Sequence, residues 1–386
     1  MTLTHGGRKS ARRITASRTV KRVGGLGALA AAALFLTGCS PEEAVRFGWP
    51  AGVTPESHDM LRLWQWACIA ALVMGILVWG LIFWTITFHR RKKNQTELDA
   101  TDPGSEFPRQ TGYNVPLELA YTAIPFVLIA ILFYFTVITQ TKVEKKVDDP
   151  AVVVDVTAFQ WNWKFGYNQV KTSNGDTLVS KDQSRKGGPF EIQQQPDYIE
   201  FHGKEMEKPG PAGGRDDDIR NYLTFDKIET LGTSSEIPIL VLPTKTRIQF
   251  DLASADVVHS FWVPEFLFKR DVMPFPKENK QESTFQISEI EREGAFVGRC
   301  AEMCGTYHAM MNFEVRAVPR EVFDQYINYR KNNPDKTNAE ALTAVCQEPE
   351  SVVTVPFNTR RVANTDVPKN LGNKNDTSIP NCTPAK

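Results

Sequence analysis

Two long apolar runs, Leu61 to Phe88 and Glu118 to Thr139, constrain this chain more than any other feature. Each is long enough to cross a hydrocarbon core of about 30 Å as a helix, the structure that satisfies its own backbone donors and acceptors there. Trp64 and Trp66 stand at one end of the first run and Trp84 near the other, as an aromatic belt would. His89-Arg90-Arg91-Lys92-Lys93 follows at once, and the positive-inside rule makes that end cytoplasmic. The expected segments are a transmembrane helix over 61–88, a cytoplasmic loop over 89–117 and a second transmembrane helix over 118–140. Everything after Lys142 then lies outside. Pro125 removes one backbone donor and should kink the second helix.

The N-terminus reads as a targeting segment over 1–38. Arg8, Lys9, Arg12, Arg13, Arg18, Lys21 and Arg22 precede the apolar run GALAAAALFL, and Leu36-Thr37-Gly38-Cys39 follows. Small residues before a cut mark signal cleavage. Leu-Thr-Gly-Cys resembles a bacterial lipobox, which implies cleavage before Cys39 and a diacylglycerol on its sulfur. The competing account is an uncleaved third span, although the apolar run falls short of the ~20 residues a span needs. Residues 39–60 form an exterior N-terminal segment. Cys68, in the first span, reads as a small buried hydrophobe.

Beyond the membrane the period changes. Ala151 onward is β-branched, and Phe159, Trp161, Trp163, Phe165 and Tyr167 recur at every second position, the mark of a strand with one aromatic face. Thr246 to Leu252, Glu282 to Ile287, Gly294 to Arg299 and Phe313 to Val318 read as further strands. The exterior domain over 150–320 is therefore a β-sandwich. Residues at about 168–236 are rich in turn and breaker signals, including Pro209-Gly210-Pro211 and Asp216-Asp217-Asp218, and read as an insertion ordered only in part. Residues 321–386 are a C-terminal helix and a polar tail. The 45 basic and 45 acidic side chains cancel, so bulk charge gives no reason to expect a nucleic-acid partner. No phosphate-cradling glycine loop and no Ser/His/Asp pattern appears.

The chemistry concentrates in Arg299 to Asn312, RCAEMCGTYHAMMN, with His259 upstream in DVVHSFWVP, on the loop expected after the Thr246 to Leu252 strand. Cys300, Cys304, His308 and Met311 offer two thiolates, an imidazole and a thioether, and Glu302 offers a backbone carbonyl. Soft donors of this kind select copper, zinc or iron–sulfur over magnesium or calcium. A mononuclear blue-copper site needs one Cys, whereas two thiolates can bridge a pair of ions. The same residues allow two plainer readings: a Cys₂His₂ zinc site of His259, Cys300, Cys304 and His308, and a Cys300–Cys304 disulfide in an oxidising compartment.

C-x-E-x-C-x-x-x-H-x-x-M with the upstream HSFWVP resembles the copper-A signature of cytochrome c oxidase subunit II, over about Leu61 to Arg320. The resemblance implies two transmembrane α-helices in a hairpin plus an exterior all-β, cupredoxin-like Greek-key sandwich, in a bacterial cell membrane with a lipid anchor. It implies dinuclear copper A held by His259, Cys300, the Glu302 carbonyl, Cys304, His308 and Met311. It also implies a magnesium or manganese ion at the subunit I interface on the Glu302 carboxylate, where oxygen donors suit a hard cation. QWNWKFGY is similar to the family's aromatic stretch, whose first Trp, here Trp161, receives electrons. ELAYTAIP resembles the segment whose Glu, here Glu118, stands at the mouth of the K proton pathway; read without the family, Glu118 is an interfacial carboxylate favoured by a helix N-terminus. The implied partners are subunits I and III, membrane lipid, and a cytochrome c, soluble or tethered in a larger respiratory assembly. Electrons would pass through subunit I to oxygen, with protons pumped. The rivals are a quinol oxidase subunit II, which lacks these ligands, and a membrane-tethered zinc or copper binding module. Cys346 and Cys382 lie in the exterior tail and are expected to pair, tethering an otherwise loose end.

Overall fold

The structure is a computed structural model that describes residues 40–89, 112–180, 226–276, 279–356 and 370–384. Two compact units divide the chain, 1–49 and 50–386. In the first, the described residues form one short helix, α1 (Pro41–Ala44). Cys39 and the targeting segment lie outside the described residues, as do 90–111 of the expected cytoplasmic loop.

The second unit begins with helix α2 (Pro55–Phe88), which starts ahead of the apolar run because Thr54 and Ser57 form a reciprocal capping box. Both residues are fully buried against the exterior domain. Val53 ties them down, donating to the Glu265 carbonyl at 3.1 Å and accepting from Glu291 N–H at 2.9 Å. Helix α3 (Val115–Val143) is capped by Asn114, whose Oδ1 accepts from Leu117 N–H at 3.3 Å. The two helices pack side by side, and Lys142 reaches Asp59 across them at 3.3 Å. Both are apolar over most of their length, yet almost none of either apolar stretch is buried within the chain. Surfaces like these suit lipid or a partner subunit. Cys68 is correspondingly half-exposed in the isolated chain rather than buried.

Two sheets follow. The first has the order β3-β2-β1-β6-β9, with β4 also on β2, from β1 (Val152–Phe159), β2 (Asn162–Lys171), β3 (Thr177–Val179), β4 (Glu229–Leu231), β6 (Ile248–Ser254) and β9 (Thr284–Ile287). The second has the order β5-β11-β10-β7-β8, from β5 (Ile239–Pro243), β7 (His259–Val263), β8 (Phe268–Val272), β10 (Gly294–Cys300) and β11 (Asn312–Val318). Non-consecutive neighbours in both sheets give the Greek-key sandwich expected of the chain. Between the sheets the rings of Trp163, Phe165, Phe250, Phe261, Phe285 and Phe313 interlock, with Phe261 and Phe313 stacked at 4.8 Å and Trp163 edge-on to Phe313 at 5.2 Å.

Two readings change, and a third gains detail. The aromatic alternation is not one strand: β1 ends at Phe159 and β2 starts at Asn162, which pair in an antiparallel hairpin. Trp163, Phe165 and Tyr167 enter the core, while Trp161 sits in the turn and points to the end of the sandwich. His259 is not on a loop but opens β7, fully buried. The stretch at 168–236 carries sheet at both its ends, because β2 runs on to Lys171, β3 follows and β4 precedes Gly232; residues 181–225 lie outside the described set.

The C-terminal region is more structured than its polar composition suggests. After α4 (Arg320–Asn332) comes α5 (Asn338–Ala344), and Cys346 is bonded to Cys382. Lys374 forms a bridge with Ala295 on β10, and Asn370 one with Thr354.

Candidate metal centre

β7 and β10 pair at Arg299↔Trp262 and Cys300↔Phe261. That register brings the first residue of β7 beside the last residue of β10, which places His259 Nδ1 3.9 Å from Cys300 Sγ. The chain then turns through 301–311. Ala301 N–H donates to the Ser260 carbonyl at 3.0 Å, and Cys300 N–H to the Met311 carbonyl at 3.1 Å, so the loop is closed at its base. A single 3-10 turn over His308–Met310 returns it to β11. Gly305 has a φ of +119°, and a Cβ there would lie 3.2 Å from Trp161 and from Gln160 Nε2, so only glycine fits easily.

Inside the loop the donors divide into two sets. The Cys300 and Cys304 sulfurs are 3.8 Å apart, far beyond a disulfide bond, and both are free thiols, which removes the disulfide reading. Cys300 Sγ has His259 Nδ1 at 3.9 Å and the Glu302 carbonyl at 3.2 Å. Cys304 Sγ has His308 Nδ1 at 3.6 Å and Met311 Sδ at 3.9 Å. His259, Cys300, Cys304 and Met311 are all buried, while His308 is partly exposed. Among the described residues, His259, Cys300 and Cys304 are the one His/Cys/Asp/Glu group with ligand atoms close enough for a metal.

The two thiols and the buried imidazole are shifted in different directions. The hydrogen bond from Cys304 holds the Cys300 thiol far below the usual thiol range, while the same contact pushes Cys304 far above it. At His259 burial works against the charged form, but hydrogen bonds to Asp256 and Cys300 prevail and raise its pKa. Asp256 Oδ1 lies 2.8 Å from His259 Nε2, leaving Nδ1 directed at the sulfurs.

Trp161 is half-buried over the loop, donates from Nε1 to the Cys304 carbonyl at 3.1 Å and meets Tyr307 edge-on at 5.0 Å. Trp163 donates to the Met311 carbonyl at 3.3 Å from beneath. The Glu302 carboxylate is half-buried and accepts from Met303 N–H at 3.2 Å. Glu118 stands in the first turn of α3, accepting from Asn114 N–H at 3.1 Å, in a segment separate from the metal loop. Asp256 and Gln160 were not singled out from the sequence. For Asp256 a signal existed, since an acid three residues before a ligating His is placed to orient its ring.

Residues 222–318 match the family described as cytochrome C oxidase subunit II, periplasmic domain. A probable cytochrome c oxidase subunit 2 from Nocardia farcinica is 55% identical over 351 residues, covering 89% of this chain and 90% of that one. Cytochrome c oxidase subunit 2 of Mycobacterium tuberculosis is 53% identical, covering 86% and 88%. The Corynebacterium diphtheriae protein of the same name is 48% identical, covering 85% and 90%. With that identity along nearly the whole chain, and a Cys/His cluster at the end of a two-sheet sandwich behind two apolar helices, this protein belongs to the cytochrome c oxidase subunit 2 family.

Proposed function

We propose that this is the subunit through which electrons enter a proton-translocating cytochrome c oxidase. His259, Cys300, the Glu302 carbonyl, Cys304, His308 and Met311 would hold dinuclear copper A. The observation that carries the assignment is the two-by-two partition of the donors. Each sulfur has its own imidazole and its own end donor, and the sulfurs face one another at 3.8 Å. A tetrahedral zinc ion would leave Met311 and the Glu302 carbonyl without a part. When bound, a copper pair held by these donors would supply a one-electron carrier with little reorganisation between its two states.

The protein's own residues offer a point of entry. Trp161 lies part-exposed over the loop and is joined to Cys304 by one hydrogen bond, which suits it to receive electrons from a cytochrome c, soluble or tethered. Electrons then leave for haem in subunit I, where oxygen is reduced; two helices offer no room for that chemistry, so subunits I and III complete the enzyme. The Glu302 carboxylate, on the same loop, would take a magnesium or manganese ion at the subunit I face. Glu118, at the cytoplasmic start of α3, would admit protons to subunit I. The exterior domain stands outside the bacterial cell membrane, with Cys39 as the lipid anchor.

Metal analysis with visible and electron paramagnetic resonance spectra of the purified complex tests this reading. Two coppers per chain in a mixed-valence pair are expected. A spectroscopically silent zinc protein, or one copper per chain, would overturn it.

A further inference from the structure

Gln160 is an exposed residue of a hairpin turn that hydrogen-bonds beside the donor atoms rather than to them, and yet joins both halves of the site. Its side-chain amide Nε2 donates to the Cys304 carbonyl at 2.8 Å. Its main-chain N–H donates to Asp256 Oδ2 at 2.7 Å. The other oxygen of that carboxylate lies 2.8 Å from His259 Nε2. A polar circuit therefore runs from His259 through Asp256 and Gln160 to Cys304, outside the donors themselves. It links the start of β7 to a ligand loop some forty residues later by way of the β1–β2 turn. The Cys304 carbonyl also accepts from Trp161 Nε1 at 3.1 Å, so one oxygen takes two donors from adjacent residues. The approach is close enough that Gly305 cannot carry a Cβ without crowding both.

We infer that Gln160 is a positioning residue for electron uptake, clamping the Cys304 carbonyl so that the Cys304 sulfur and the Trp161 ring keep a fixed relation. The physical argument is one of division of labour. A carbonyl has two lone pairs. With one filled by Trp161 alone, the peptide after Cys304 can rock about that single bond; a second donor from a different direction removes the freedom. Because Gln160 is itself held at its main chain by Asp256, its amide is anchored to the carboxylate that orients the buried imidazole. A lone exposed glutamine would be energetically near neutral, since surface substitutions away from such features cost little. Here the substitution should leave folding alone and alter the site.

The inference rests on the copper assignment, which the wild-type spectrum checks independently. The experiment compares the purified complex carrying Gln160→Leu, Trp161→Phe and both. Leu keeps the bulk and loses the donor. Copper content and circular dichroism report whether site and fold survive. In Gln160→Leu the sulfur-to-copper absorption bands and the copper hyperfine pattern should shift while copper stays at the wild-type level. The rate of electron uptake from reduced cytochrome c should fall about fivefold, one hydrogen bond's worth, with KM for the donor unchanged. The spectral change in the double variant should exceed the sum of the two single changes, because the carbonyl then has neither donor. Loss of copper from an intact fold would also support the clamp. A wild-type spectrum in Gln160→Leu would overturn it, and so would a rise in KM alone, which would make Gln160 a docking residue.

Discussion

Trp161 hands its indole N–H to the carbonyl of Cys304 at 3.1 Å, so the ring on the outside of the sandwich is one hydrogen bond from a residue whose sulfur lies in the metal site. The turn between β1 and β2 makes this possible, because it lifts Trp161 out of the alternation that buries Trp163 and Phe165. Trp161→Phe keeps an aromatic face against Tyr307 and removes the donor. The expected outcome is slower electron uptake from reduced cytochrome c with two coppers per chain retained, read by stopped-flow absorption and metal analysis. Uptake at the wild-type rate would remove Trp161 from the path.

Gly298 lies on β10 two residues before Cys300, and a Cβ there would sit 2.0 Å from Phe313 Cε2. Phe313 stacks on Phe261 and meets Trp163 edge-on, and Trp163 holds the Met311 carbonyl. Moving that ring disturbs the floor of the metal loop. Gly298→Ala should destabilise the exterior domain by about 1–3 kcal/mol, the ordinary cost of overpacking a filled core. Chemical denaturation followed by tryptophan fluorescence measures it, and an unchanged midpoint would mean that the core has slack near Phe313.

How much of this could be seen in the sequence depended on distance along the chain. Four of the donor side chains fall between Cys300 and Met311, so their spacing was readable directly, and the spans were fixed by length and apolarity. The pairing of His259 with the loop needed the β7–β10 register, which no local pattern supplies. Gln160 meets Cys304 across 144 residues, and nothing in QWNW marks which polar side chain will turn inward. β11 shows the limit of alternation most clearly. Its pattern puts Phe313, Val315 and Ala317 in the core and hands Glu314 and Arg316 to the opposite face, where solvent would be expected. Both are in fact fully buried, because the C-terminal region lies over that face.

A pH dependence follows from a carboxylate beside the first sheet. Asp226 Oδ2 rests where Gly166 would carry a Cβ, with Asp155 on β1, Glu229 on β4 and Lys164 on β2 around it. Burial, then the charges of Asp155 and Glu229, push its pKa up to about 8, against the smaller pull of Lys164. The folded protein therefore holds a proton that the unfolded chain, with a carboxyl near 3.8, releases. This contribution to stability is complete below the unfolded value and is lost as pH rises through the folded one. Between pH 5 and 8 the loss should approach about 1.4 kcal/mol per pH unit. Asp226→Asn keeps a neutral group in place and should flatten that slope in thermal unfolding of the detergent-solubilised protein; an equal slope in both proteins would assign the effect elsewhere.

The C-terminal region is held at three places, and they make one prediction together. Arg316, paired with Glu314, donates to the carbonyls of Glu348 at 2.9 Å and Glu350 at 3.2 Å, while Glu314 accepts from Val352 N–H at 2.8 Å. Further on, Ala295 and Lys374 exchange main-chain hydrogen bonds at 2.8 and 3.0 Å, and Val297 N–H donates to Asn373 Oδ1 at 2.9 Å. Asn373 in turn donates to Glu265, whose carbonyl receives Val53 at the root of α2. Asn373 and Lys374 thus cover the edge of β10 that β7, paired only at its far end, leaves open. The Cys346–Cys382 bond closes the loop over a separation of 36 residues. In the chain-entropy account such a closure is worth about 3–4 kcal/mol. Replacing both cysteines by serine should lower the unfolding temperature and speed hydrogen exchange at Ala295 and Val297, the amides that the tail covers. Exchange at Phe313 and Val315, in the middle of the sheet, should change only with global stability. Unchanged protection at Ala295 would show that the Glu314–Arg316 pair and the edge contacts hold the tail without the disulfide.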